Sequence, residues 1–321
     1  MTLQEILSDI HSDRVKKVIF DCDAGNEIDD QYALAYAISC SKIEVLGITA
    51  SQFNNVALCP TREAGMIEGY NEAKRVLKLI GKEDIPVYYG YGNKVDSPDH
   101  DERCPDVMPG ECEAVDFIIK TAHESEELLY VLVTGCATNI SSAIAKDPSI
   151  KEKICVVWMG SNNPDTEGAS EFNLDQDLTA GRYLMNCGVN LVWIPAISID
   201  KTKGSQTLIT GRAFFEESFK GEDEATSFFR CDLPREHDGG YDAEPDTWWH
   251  IFWDVAAPAV LETPELVEFE VVTIPRVRGD VGFSFGEEGR PKAIMLQKFT
   301  DPQKVLRNMA DGINALIWAK K

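Results

Sequence analysis

From residue 18 to residue 195, short apolar runs alternate with longer amphipathic stretches. Val18-Ile19-Phe20, Ile43 to Ala50, Leu128 to Thr134, Ile154 to Met159 and Leu191 to Pro195 read as buried strands. Between them, Asp30 to Cys40, Glu63 to Ile80, Ala114 to His123, Asn139 to Ala145 and Leu178 to Asn186 carry helical periodicity. Parallel strands need a crossover connection, usually a helix, so this rhythm predicts an α/β fold: an open, mainly parallel, Rossmann-like sheet with helices on both faces. No repeat, low-complexity tract or composition break marks a linker, and one domain over residues 1–321 is expected. Its ligand crevice belongs at the carboxyl ends of the strands. Three long polar loops, Tyr89 to Cys112, Ser161 to Ser170 and Arg230 to Thr247, are expected to carry function.

Charge narrows the partners. A net charge of −23 argues against duplex nucleic acid, whose binding needs clustered Lys and Arg. Hard cations and neutral small molecules remain natural ligands. Most of the 54 acidic side chains must be solvated surface, so only those in unusual contexts merit a metal reading. No apolar run is long enough to cross a bilayer. The nine cysteines never form a CxxC pair, which suggests neither zinc nor a disulfide framework but reduced thiols packed as small hydrophobes. The segment Met1 to Leu7 lacks the basic and apolar regions of a secretion signal, and a cytoplasmic location is expected.

The strongest local signal is Asp21-Cys22-Asp23-Ala24-Gly25-Asn26-Glu27-Ile28-Asp29-Asp30, which follows a strand and opens a helix. Side chains two apart on a strand share a face, so Asp21 and Asp23 can converge. Asp29 and Asp30 start the helix, where backbone N–H groups favour anions. Four crowded carboxylates repel unless a cation sits among them, and oxygen donors without local His or Cys favour calcium or magnesium over zinc. An Asp-rich helix cap with surface acids is the plainer alternative.

Asp23, Gly25, Asp29 and Asp30 resemble the N-terminal aspartate motif of nucleoside hydrolases. That family usually places three residues between the first Asp and the Asp-Asp pair; here there are five, Ala24 through Ile28. The extra Asn26-Glu27 resembles a divergent branch and either lengthens the loop or adds a carboxylate. Three further segments follow in the family's order: Gly47-Ile48-Thr49 running to Asn54-Asn55, Thr134-Gly135-Cys136-Ala137-Thr138-Asn139, and Ser170-Glu171-Phe172-Asn173. Each has a plainer reading, with Asn55 as a turn residue, Thr138 as a helix N-cap, and Glu171 and Asn173 as loop residues. Near the C-terminus, Trp248-Trp249-His250-Ile251-Phe252-Trp253-Asp254 resembles the final metal segment, with Asp254 as its ligand.

One departure matters. Broad-specificity and pyrimidine-accepting members carry a general-acid His before this Asp; this chain carries Trp253. That resembles the purine-preferring branch, where an indole stacks on the base, although Trp253 also fits ordinary core packing. His250, one helical turn earlier, is a second candidate acid or a structural residue.

The resemblance implies a calcium-dependent N-ribohydrolase of purine nucleosides. Calcium would be held by Asp23, Asp30, the Thr138 carbonyl and Asp254; Asp23 would be the general base; Asp29, Asn55, Glu171 and Asn173 would hold the ribose and Trp253 the base. Family likeness also implies a homodimer or homotetramer. Two other classes stay open. Ile19-Phe20-Asp21-Cys22-Asp23 is similar to the strand-end motif of haloacid-dehalogenase-like phosphatases, and the missing His admits a calcium-containing sugar-binding protein without catalysis.

Overall fold

The computed structural model describes residues 1–55, 58–95, 110–231 and 249–320. In chain order the helices are α1 (Leu3–Ile10), α2 (Asp29–Ser39), α3 (Arg62–Ile80), α4 (Glu113–Glu124), α5 (Thr138–Lys146), α6 (Phe172–Gln176), α7 (Leu178–Asn186), α8 (Arg212–Ser218), α9 (Glu224–Phe229), α10 (Ala256–Glu262) and α11 (Pro302–Ala319). The strands are β1 (Lys16–Cys22), β2 (Ile43–Ala50), β3 (Val87–Tyr88), β4 (Leu129–Val133), β5 (Ile154–Met159), β6 (Asn190–Ile194), β7 (Ile209–Gly211), β8 (Trp249–Ile251), β9 (Val267–Thr273), β10 (Arg276–Val277), β11 (Phe283–Ser284) and β12 (Lys292–Phe299).

Among the described residues, eight strands form one sheet in the order β3-β2-β1-β4-β5-β6-β12-β9. All neighbours run parallel except β9, which pairs antiparallel with β12 at one edge. The expected α/β sheet is present. The sequence reading did not extend to β9, β12 and α11, which complete it.

Alternation along β1 sets the two cores. Val18, Phe20 and Cys22 pack with Tyr130 and Leu132 on one face, while Ile19 packs with Val131 and Val133 on the other. Helix α2 is buried on nearly every side, from Asp29 through Ala37, because α3, α10 and α11 close around it. Its polar first turn therefore has an unusual setting: two aspartates at the start of a core helix.

The order 3-2-1-4-5-6 reverses between β1 and β4, and the crevice beyond their carboxyl ends is where such sheets bind ligands. Asp23 follows β1, and Thr134 follows β4. Two of the long loops expected to be functional, 89–112 and 230–247, fall largely outside the described residues, as does Trp248. Among the described residues no helix is long and apolar enough to cross a membrane.

Candidate active site

The site assembles where β1, β4 and β5 end. Asp23, Asp29, Asp30 and Asp254 line one pocket and are each 4% exposed or less. Asp29 and Asp30 occupy the first turn of α2, whose N-cap, Ile28, provides no side-chain cap. The Thr134 hydroxyl donates to Asp30 Oδ1 at 2.8 Å, and the Asp254 backbone N–H donates to Asp29 Oδ2 at 3.2 Å. Asp23 Oδ2 and Asp254 Oδ1 are buried with no hydrogen-bond partner among the described residues.

Burial, and then the neighbouring carboxylates, hold the Asp23, Asp30 and Asp254 carboxyls well above the usual carboxylate range. A buried carboxylate oxygen without a donor is costly in a folded protein. A hard divalent cation fits this set, since it would satisfy the two orphaned oxygens and cancel the mutual repulsion.

Polar and apolar residues complete the pocket: Asn26, Glu27, Asn162, Ser170, Glu171 and Asn173 on one hand, Met159, Phe172, Ile197 and Trp253 on the other. Asn173 Nδ2 donates to the Thr134 and Met159 carbonyls at 2.7 and 3.0 Å, joining α6 to the ends of β4 and β5. Glu171 caps α6. Its carboxylate accepts from the backbone N–H groups of Asn173, Leu174 and Ser161, the last at 2.7 Å. Burial pushes its carboxyl up to about 7 against those three donors. Ser161 adopts a left-handed backbone (φ 61°) to aim its N–H this way, a conformation that costs a non-glycine residue about 1–3 kcal/mol.

Seven of the residues singled out from the sequence thus share the pocket: Asp23, Asp29, Asp30, Glu171, Asn173, Trp253 and Asp254. Two do not line it. Thr138 is the first residue of α5, fully buried, with its hydroxyl donating to Asp177 Oδ2 at 2.8 Å and its carbonyl at the start of the helix's own ladder. It is not an N-cap either, because Ala137 holds that position without a side-chain bond. Thr134, four residues earlier, lines the pocket instead. Asn55 stands one step back, its amide 3.4 Å from the Asn26 side chain.

Asp21 also stays out of the pocket. Its carboxylate accepts from Thr49 Oγ1 at 2.6 Å and Asn139 Nδ2 at 2.8 Å, tying β1 to β2 and α5. The convergence of Asp21 and Asp23 expected from strand parity is not found: the strand ends at Cys22, and Asp23 lies beyond it in the pocket while Asp21 stays within the sheet.

Sequence reasoning missed Thr134, Asn162 and Ile197 as pocket residues. For Thr134 the signal existed: it ends a buried strand next to β1, as Asp23 ends its own. The Ile197 N–H donates to Asn162 Oδ1 at 3.3 Å, a pairing across 35 residues that no local pattern encodes. Of the aromatic run, Phe252 is core, edge-on to Tyr32 at 5.1 Å, whereas half-buried Trp253 both packs on that core and faces the pocket.

The model of the family described as inosine-uridine preferring nucleoside hydrolase matches residues 18–305. The chain belongs to the nucleoside hydrolase family. The pyrimidine-specific ribonucleoside hydrolase RihA of Citrobacter koseri is 29% identical over 194 residues, which are 54% of this chain and 58% of that protein. The chain thus matches less than two thirds of that nucleoside hydrolase's length. Among solved structures, a purine-preferring ribonucleoside hydrolase from Gardnerella vaginalis superposes with a TM-score of 0.69 at 22% identity, over 94% of this chain and 99% of that one. An inosine-guanosine nucleoside hydrolase gives 0.71 at 17% identity with the same coverage. These two likenesses establish the nucleoside hydrolase fold. Family membership sets aside the haloacid-dehalogenase-like phosphatase reading.

Proposed function

We propose that the protein hydrolyses the N-glycosidic bond of ribonucleosides, purine nucleosides by preference, to free base and ribose, with calcium in its site. The observation that carries this reading is the pair of orphaned oxygens, Asp23 Oδ2 and Asp254 Oδ1, on two of the four aspartates that line one pocket. Asp23, Asp30 and Asp254 would hold the ion, with Thr134 taking the place first given to Thr138. Bound calcium would supply positive charge for the sugar hydroxyls and an attacking water.

The protein's own groups do the rest. Asp23, at the carboxyl end of β1, accepts the proton of the attacking water as general base. Asp29, Glu171 and Asn173, the last through its side-chain carbonyl, accept from the ribose hydroxyls, which fixes C1′ for in-line attack. As the base departs, the pocket carboxylates stabilise the positive charge that develops on the sugar. Asn55 supports this set through Asn26 rather than touching the sugar.

Purine preference rests on the aromatic wall. Trp253 and Phe172 offer large flat faces where a base would lie, and stacking of this kind is worth about 1 kcal/mol or more beyond burial. The Gardnerella protein is purine-preferring by name and the Citrobacter protein pyrimidine-specific, so relatives span both choices. A reducing-sugar assay across inosine, adenosine, guanosine, uridine and cytidine decides between them. Ribose release led by purines supports the reading; release led by pyrimidines contradicts the preference. Calorimetric binding without release would identify a sugar-binding protein that has lost catalysis.

A further inference from the structure

His250 sits beside two carboxylates that line the pocket, its Nε2 3.7 Å from Glu27 Oε2 and 3.9 Å from Asp29 Oδ1. Those three residues bring ligand atoms within 4.8 Å of one another. The imidazole is held from behind. It lies edge-on to buried Phe252 with centroids 5.3 Å apart, and its strand β8 pairs with β7, which sets uncharged Thr210 opposite it. Glu27, in the two-residue extension of the aspartate loop, lines the pocket with a side chain 53% exposed, while the His250 side chain is 22% exposed.

We propose that Glu27 and His250 form a proton relay for the leaving group, on the reading that the protein is a ribohydrolase. Glu27 is the group that touches the departing base; His250 is a positioning and relay residue that acts through it. As the C1′–N bond breaks, its electron pair passes to the base. A ring nitrogen of the base takes a proton from the Glu27 carboxyl, and Glu27 recovers one from the His250 imidazolium. Solvent then reprotonates the partly exposed imidazole. On the other side of C1′, the water oxygen forms the new bond and its proton goes to Asp23, which releases it to solvent as His250 takes one up, so charge and protons balance over a cycle.

This assigns a purpose to the loop extension. Asp29 alone faces His250 from α2, and its other oxygen is already engaged by the Asp254 N–H. Glu27 supplies the solvent-exposed carboxyl that a proton shuttle requires. A purely structural His250 would support the loop and affect every substrate alike.

The experiment compares His250→Gln and Glu27→Gln with the native protein, on inosine and on a nitrophenyl riboside whose leaving group needs no proton. General-acid assistance contributes about 10²–10⁴-fold, so each variant should lose kcat/KM on inosine by roughly 30-fold or more beyond its loss on the nitrophenyl riboside. The basic limb of the inosine pH profile should shift or vanish in His250→Gln, and the double variant should be little worse than either single one. Equal losses on both substrates, or losses that multiply in the double variant, would overturn the relay while leaving hydrolysis intact. A native protein inactive on both substrates would remove the hydrolase reading and the relay with it.

Discussion

The Asp254 backbone N–H donates to Asp29 Oδ2, linking positions 225 residues apart in sequence. This bond docks the segment before α10 onto the first turn of α2. Two buried carboxylates thereby face each other, which a folded chain tolerates only with a compensating cation or proton. Asp254→Asn should therefore stabilise the protein in EGTA, by about 1 kcal/mol, and should abolish most of the stabilisation that calcium gives the native protein. Thermal melts with and without calcium check this. A variant that calcium stabilises as fully as the native chain would exclude Asp254 as a ligand.

Gly135 closes the same site from the β4 side. A Cβ there would lie 2.8 Å from Ser51 Cβ and 3.1 Å from Asp23 Oδ1. Gly135→Ala should displace the Asp23 carboxylate and lower calcium affinity at least about tenfold, alongside an overpacking cost of about 1–3 kcal/mol. Calcium titration by calorimetry reads the first effect and a denaturant melt the second. Unchanged affinity would mean that Asp23 has room to spare.

Glu171 gives a pH dependence whose sign is fixed. Its folded carboxyl is pushed up to about 7 by burial, above its ordinary value of 4.5. The folded state then holds a proton that the unfolded chain has released, so this group makes stability fall as pH rises from 4.5 to 7 and level off above. Glu171→Gln removes that contribution. The melting-temperature difference, native minus variant, should decline across this window; a flat difference would place the Glu171 carboxyl at its ordinary value.

Trp253→Ala should reduce purine nucleoside turnover far more than turnover of a nitrophenyl riboside, because stacking assists only a poor leaving group that the indole can cover. Steady-state kinetics on both substrates test it. Equal losses would return Trp253 to core packing alone.

The sequence made the parallel sheet legible because continuous apolar strands and periodic helices are local patterns, and the limits of β2, β5 and α7 match the expected ones. Asp23, Asp29 and Asp30 were legible for a similar reason, since strand ends and helix starts can be placed from such patterns, whereas Asp254 was reached only through the family resemblance of its segment. Thr138 failed because a short turn offers two threonines four residues apart, and only the tertiary arrangement shows that α5 consumes one and β4 presents the other. The Glu27–His250 approach joins a loop to a strand more than 200 residues away, and nothing in either segment announces the other.

Hydrolysis at the Asp23 site is tested most directly by a reducing-sugar assay on inosine with native protein, native protein in excess EGTA, and Asp23→Ala. Ribose should appear only with the native protein in calcium, the other two falling by at least about 10³-fold, since both the general base and the ion's anchor are lost. Full activity in Asp23→Ala, or in EGTA, would contradict a metal-assisted hydrolase built on the aspartate loop.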